Sequence, residues 1–238
     1  MTHDHRYAAR SQKANKIRAI LEDFAGAELA SLSCLDIGCS NGGISDNVAP
    51  IFDNLIAIDV DQEAIEAADR SRKSRNLAYM VASGYDVPFP DESFDVIICA
   101  QVYEHVTDQK SLASEVRRVL RRGGFCFFSG PNRLKIIEEH YWLPFLSWLP
   151  RTLSHRYMRL ARKGTYYDAY PLLYWQIQAL WHGFIIHDYT PQLITQPERF
   201  SMGDSLSKYG WIKKLPAWFI KSAAPFYPNY NWILERPA

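Results

Sequence analysis

Ser33-Cys34-Leu35-Asp36-Ile37-Gly38-Cys39-Ser40-Asn41-Gly42-Gly43-Ile44-Ser45 decides the reading of this chain. It starts as a short apolar strand, breaks at a glycine, passes through small residues, and enters a helix carrying Ile44, Val48, Ile51 and Phe52. Gly38 allows the backbone to turn, and Gly42 and Gly43 leave no side chain between the loop and a ligand lying over it. A helix starting near Gly42 presents free N–H groups on the same side.

A glycine loop alone is also what an ordinary strand-to-helix turn looks like. Two acids sharpen it. Asp59 closes the next apolar run, Leu55-Ile56-Ala57-Ile58-Asp59, and follows Gly38 by 21 residues. An acid about 20 residues on, at the end of a second strand, is placed to bind ribose hydroxyls. Asp36, two residues before Gly38, repels a pyrophosphate and suits a ligand that carries positive charge. S-adenosylmethionine (SAM) has a ribose, a sulfonium, an ammonium and no phosphate, so these acids favour SAM over NAD.

The spacing outward from this loop predicts a helix over 7–24 and strands at about 33–37, 54–59, 77–82, 94–100, 125–129, 184–189 and 230–235. A helix over 109–121 is stopped by Gly123-Gly124, and another is opened by Pro171 and closed by Gly183. Asp61 is the predicted cap of the helix after the second strand. Strands alternating with helices define an α/β chain: a Rossmann-like, doubly wound, mostly parallel seven-stranded sheet with helices on both faces. Two aromatic-rich insertions interrupt it. The expected division is a core over 1–132, an insertion over 133–170 serving as lid and acceptor wall, and a return to the core over 171–238 with a second insertion at about 190–228.

The net charge of +1 gives no global pull toward nucleic acid. The halves differ: residues 1–132 carry 14 Lys/Arg and 19 Asp/Glu, residues 133–238 carry 13 and 7, and all seven Trp lie in the second part. The first part thus reads as a general scaffold and the second as the specialised one. Cys34, Cys39, Cys99 and Cys126 show neither metal-ligand spacing nor a disulfide pattern, so reduced thiols, no metal and a cytoplasmic protein are expected. The polar start of the chain shows no signal peptide, and no apolar run approaches the ~18 residues that span a membrane.

Leu35-Asp36-Ile37-Gly38-Cys39-Ser40-Asn41-Gly42 resembles motif I of the class I SAM-dependent methyltransferases. Val87-Pro88-Phe89-Pro90-Asp91-Glu92-Ser93-Phe94-Asp95 resembles their loop into the fourth strand, and Gln101-Val102-Tyr103-Glu104-His105-Val106 the segment after it. Leu120-Arg121-Arg122-Gly123-Gly124 and Ser129-Gly130-Pro131-Asn132 resemble the flanks of the fifth strand. The resemblance covers about 31–132, and its pieces occur in order with the family's spacing.

The resemblance implies roles. Asp36, Gly38 and Gly42 contact the methionine part of SAM, with Cys39 beside them. Asp59 binds both ribose hydroxyls, with Val60 next to it. Ser83, Gly84 and Tyr85 flank the adenine, although the family usually has an acid where this chain has Ser83; Asp86 is the compensating candidate. Gln101 lies beneath the cofactor, near the acceptor. His105 and His140 are the candidate bases, because neutral histidine suits proton abstraction near pH 7; packing of His140 against Trp142 is the competing account. Asp95 reads as a solvated strand-edge residue.

Methyl transfer to a small-molecule, lipid-linked or glycan acceptor, at oxygen, is the expected reaction. The Asn/Asp-Pro-Pro-aromatic motif of nucleic-acid amine methylation is missing, so no nucleic-acid partner is expected. Two other classes stand beside it: a non-catalytic SAM-fold binding protein, and an NAD-dependent oxidoreductase, which Ser40 in place of the middle glycine disfavours. The basic stretch 151–163 and the aromatic, lysine-containing stretch 211–221 suggest contact with the inner face of a membrane. The alternative is that these aromatics cover the core.

Overall fold

The structure is a computed structural model that describes residues 3–202 and 215–238, with side chains from residue 11 onward. Seven strands form one sheet: β1 (Ser33–Ile37), β2 (Asn54–Asp59), β3 (Leu77–Val81), β4 (Phe94–Ala100), β5 (Leu120–Pro131), β6 (Ile185–Asp188) and β7 (Asn229–Glu235). The order across the sheet is β3-β2-β1-β4-β5-β7-β6. β1 to β5 run parallel, while β7 runs antiparallel to both β5 and β6.

Alternating side chains explain why both faces are covered. In β4, Ile97 and Cys99 join one buried cluster, with Leu112 and Val116 of α4 (Gln109–Val119) and Ile177 of α6 (Tyr174–Leu180). Val96 and Ile98 join the other, with Ile17, Ile20 and Leu21 of α1 (His3–Ala25) and Ile65 of α3 (Gln62–Ser71). Asp61 caps α3 as expected, its carboxylate accepting the Ala64 N–H at 3.1 Å.

Three local expectations are corrected. The helix after the glycine loop, α2 (Ser45–Val48), is one turn long and continues only as a 3-10 turn over Ala49–Ile51. Pro50 lacks an N–H and crowds the preceding turn, so the α-helix cannot run on. Gly123 and Gly124 do not sit in a stop loop: β5 starts at Leu120 and bulges through them. A Cβ on Gly124 would lie 2.6 Å from the Asp95 carbonyl oxygen. Pro171 does not open α6, which begins at Tyr174, because the chain just before it is pinned outside the helix: Leu172 N–H donates to the Tyr103 hydroxyl at 3.2 Å, and Leu172 C=O accepts Arg133 N–H at 3.0 Å.

The stretch 133–170 carries α5 (Arg151–Leu160) and a small core of its own, with Leu143, Leu146, Met158 and Tyr167 buried together. The second irregular stretch holds α7 (Thr190–Thr195) and α8 (Ala217–Ser222). Residues 203–214, including the first part of the 211–221 stretch, lie outside the described residues. Asp95 is less free than its sequence position suggests. It accepts Ser33 N–H and Oγ–H at 2.9 and 2.7 Å and pairs with Arg121, joining β1 to β4. All four cysteines are buried and none is bonded to another.

Candidate active site

The glycine loop crosses the carboxyl end of β2, with Gly38 and Cys39 N–H both donating to Ile58 C=O at 2.8 and 3.1 Å. Gly38 has φ +74°, and a Cβ there would lie 2.5 Å from Val102 Cγ2. Gly42 also has φ +74°, and its side-chain position is taken by the Tyr79 ring, whose hydroxyl donates to Gly42 C=O at 3.2 Å. Packing from behind therefore dictates these glycines, in addition to any ligand in front. Asp46 N–H is taken by Gly42 C=O, so the short α2 keeps fewer free donors than expected.

Two cavities flank the loop and share Gly38, Ser40 and Gln101. One, of about 460 Å³, is lined by Asp59, Val60, Ser83, Gly84, Tyr85 and His105, and by Val102 and Val106 from the segment after β4. The other, of about 440 Å³, is lined by Cys39, Lys13, Lys16, Glu139, His140 and Asn229. Of the twelve site residues expected from the sequence, ten line one cavity or both. Gly42 and Asp36 line neither. Asp36 is buried behind the loop, where Ser45 Oγ–H donates to it at 2.6 Å. Burial pushes its carboxyl up to about 7, with Asp59 adding to the shift. Its charge is therefore only partial near pH 7, and the repulsion of pyrophosphate read from the sequence is weakened.

Asp59 accepts Ser40 N–H at 2.7 Å on one oxygen and Asp61 N–H at 3.0 Å on the other. Each oxygen retains acceptor capacity, matching two neighbouring ribose hydroxyls. Val60, 70% exposed, offers an apolar surface beside it. Ser83 Oγ accepts Tyr85 N–H at 3.1 Å, and Tyr85 OH accepts Thr107 N–H at 2.8 Å, so this end of the cavity is held by internal bonds. Asp86 does not line the cavity. In the other cavity Lys13 and Lys16 stand opposite Glu139, a cation and an anion set for a carboxylate and an ammonium. Burial, then Lys13, lowers Lys16 to about 8. A lobe with the Asp59 carboxylate beside apolar Val60, joined to a lobe that carries charges of both signs, is compatible with SAM.

Gln101 has φ +61°, an unfavourable conformation for a side-chain-bearing residue. Its N–H donates to Ser129 C=O at 2.7 Å. Oriented to satisfy its partners, its amide donates to Glu139 Oε1 at 2.6 Å and Glu104 Oε1 at 3.2 Å and accepts from Ser129 Oγ at 3.2 Å. The His105 and His140 rings meet with centroids 4.6 Å apart. Glu138 accepts the backbone N–H of His140 and Tyr141 at 2.9 and 2.7 Å, fixing that turn, while Lys135 holds Glu139 at 2.6 Å. Burial holds both imidazoles below the usual histidine value, so both are neutral at pH 7. Burial pushes Glu104 up to about 8. Trp142 is 63% exposed, and the ring that meets His140 is that of His105.

Sequence reasoning missed Lys13, Lys16, Glu139 and Asn229, which come from α1, the 133–170 stretch and the start of β7. Glu139 was legible as a neighbour of His140. The lysines of α1 carry no sequence signal, since surface helices commonly bear lysine.

Residues 35–128 match the family model described as a methyltransferase domain. A probable S-adenosylmethionine-dependent methyltransferase of Mycobacterium tuberculosis is 40% identical over 100 residues, covering 42% of this chain and 36% of that one. A ubiquinone biosynthesis O-methyltransferase of Thiobacillus denitrificans is 31% identical over 146 residues, covering 57% and 61%. The chain thus spans between about a third and three fifths of the length of these curated relatives. The fold matches the crystal structure of an S-adenosylmethionine-dependent methyltransferase from Mesorhizobium loti with TM-score 0.58 and 16% identity, over 92% of this chain and 98% of that one. Residues 35–128 thus carry a methyltransferase domain that resembles those of class I SAM-dependent methyltransferases, and these relatives support SAM as its cofactor.

Proposed function

We propose that this chain transfers a methyl group from SAM to a hydroxyl of a small-molecule or lipid-linked acceptor. The observation that carries the oxygen assignment is the neutral His105–His140 pair standing where the two lobes meet. SAM supplies an electrophilic methyl whose leaving group is a neutral thioether. Asp59 holds the ribose, the Lys13/Lys16/Glu139 set orients the amino-acid end, and Gln101 closes the floor between them. Alignment for in-line attack is thereby the main contribution of the protein. A hydroxyl acceptor must also lose its proton, and a neutral imidazole within the cleft accepts one. The relative from T. denitrificans, an O-methyltransferase by name, supports oxygen as the acceptor atom. The fold itself does not select the acceptor.

The stretch 133–170 supplies Glu139 and His140 to the cleft and presents Trp142, Phe145 and Trp148 to solvent, which suits a wall against an apolar acceptor. Residues 151–163 and 211–221, the latter described over 215–221, also serve as a contact with a membrane surface. Of the six described tryptophans only Trp181 and Trp232 are core; Trp142, Trp148, Trp175 and Trp218 are 44–68% exposed. These aromatics do not merely cover the sheet.

The test is transfer of labelled methyl from SAM to a panel of phenols, vicinal diols, alcohols and lipid-linked glycans. Label is expected in a hydroxyl acceptor, with His140→Ala lowering turnover at least tenfold while the affinity for S-adenosylhomocysteine holds. Label on nitrogen or carbon, or equal turnover in His140→Ala, would overturn the oxygen assignment.

A further inference from the structure

We propose that Glu104, His105 and His140 form a binding site for a divalent transition cation, such as Zn²⁺, on the acceptor side of the cleft. The inference rests on the methyltransferase reading for its role, though not for its existence. One ligand atom from each of the three residues lies within 4.8 Å of the others. The Glu104 carboxylate is completely buried, and its Oε2 has no hydrogen-bond partner. A buried carboxylate oxygen without a partner is costly, and a cation between it and two imidazoles removes that cost.

The supporting shell is in place. Gln101 donates to Glu104 Oε1 at 3.2 Å and leaves Oε2 free. Glu138 fixes the backbone at His140 through two N–H bonds. Outer bonds of this kind orient metal ligands. Glu138, Glu139 and Asp168 add negative charge around the histidine pair, against Lys13 and Lys135, and Lys135 is already paired with Glu139. Two imidazoles and one carboxylate suit borderline divalent ions rather than Mg²⁺ or Ca²⁺. Tetrahedral ligands about 2.1 Å from a shared ion lie about 3.4 Å apart, so a pair as far apart as 4.8 Å draws in by more than an ångström on binding. His140, one third exposed, has the freedom to do so.

Three protein ligands leave a position for one more. An acceptor hydroxyl filling that position becomes more acidic and loses its proton to solvent. Its oxygen then carries the lone pair that forms the new bond to the methyl, and the C–S electron pair stays on sulfur. With the cation bound, the histidine pair holds the acceptor oxygen through it; in the cation-free protein the pair is the base proposed above.

The test is calorimetric titration of the chelator-treated protein with ZnCl₂ and, separately, MgCl₂. One equivalent of Zn²⁺ is expected to bind with Mg²⁺ much weaker, and His140→Ala and Glu104→Gln are each expected to weaken Zn²⁺ at least tenfold. His140→Ala alters a partly exposed side chain and keeps the test valid if Glu104→Gln disturbs folding. No Zn²⁺ binding, or binding that His140→Ala leaves unchanged, would overturn the site. S-adenosylhomocysteine titrated into the same wild-type sample separates the two readings. If it binds and Zn²⁺ does not, only this inference falls; if Zn²⁺ binds and it does not, the cofactor reading falls and the cation site stands.

Discussion

At the residue scale, Asp36 shows how a motif residue acts from behind. Its carboxyl sits on Ser45 with its pKa pushed up to about 7 by burial, so the folded state disfavours its ionised form. An acid raised in this way stabilises fully below its unfolded value, near 4, and that stabilisation is lost as pH rises toward 7. Asp36→Asn keeps an acceptor for Ser45 and removes the titration. Between pH 5 and pH 8 the wild type is therefore expected to lose about 1–3 kcal/mol, or roughly 2–10 °C of melting temperature, relative to Asp36→Asn. Parallel melting curves for the two proteins across that range would show that Asp36 carries no such cost. The residue type was legible in the sequence; its burial was not, because nothing local says that β1 lies at the centre of the sheet.

At the scale of the element, the loop between β1 and α2 is held by what packs behind it. Gly38 combines φ +74° with a Val102 methyl 2.5 Å from where its Cβ would be. Gly38→Ala is expected to destabilise by about 1–3 kcal/mol, from the left-handed conformation and the clash together. Gly38→Ala/Val102→Ala relieves the clash alone and should recover part of that loss beyond the cost of Val102→Ala by itself. Additive losses in denaturant unfolding would mean that the two residues do not meet. The glycine was legible from the motif, and its partner was not, since Val102 lies 64 residues away and meets it only because β1 and β4 are neighbours. The strand positions were legible for the same reason that the core is simple: apolar runs bounded by Gly, Asp or Pro. Helix ends were misjudged at Gly123 and Pro171, where contacts distant in sequence set the boundary, and at Pro50, where the proline itself ends the α-helix.

At the scale of the molecule, a negatively balanced scaffold carries a positively balanced, tryptophan-rich second part. The exposed rings form pairs, Phe145 with Trp148 and Trp218 with Phe219, and α5 leads into exposed Arg156, Arg159, Arg162 and Lys163. Arg151 is not available to a membrane, since it bonds Tyr167 C=O and stacks on Tyr170. Among the described residues no helix is long and apolar enough to cross a bilayer. The membrane contact proposed above would be made by these exposed rings and basic residues. Each basic residue near an anionic surface adds about 1 kcal/mol, screened by salt. Co-sedimentation with phosphatidylglycerol-containing vesicles is expected at low salt, falling at high salt and weakened by Trp218→Ala. A protein left in the supernatant at low salt would contradict that contact.

The cleft as a SAM site is the claim on which the remainder stands, and Asp59 is its most exposed point. Calorimetric titration of S-adenosylhomocysteine and NAD into wild type and Asp59→Ala tests it most directly. The expected result is one equivalent of S-adenosylhomocysteine bound by the wild type, no heat from NAD, and a loss of about 1.5–3 kcal/mol in Asp59→Ala, the range for hydrogen bonds to a charged group. Equal affinity in Asp59→Ala, or binding of NAD in place of S-adenosylhomocysteine, would contradict it.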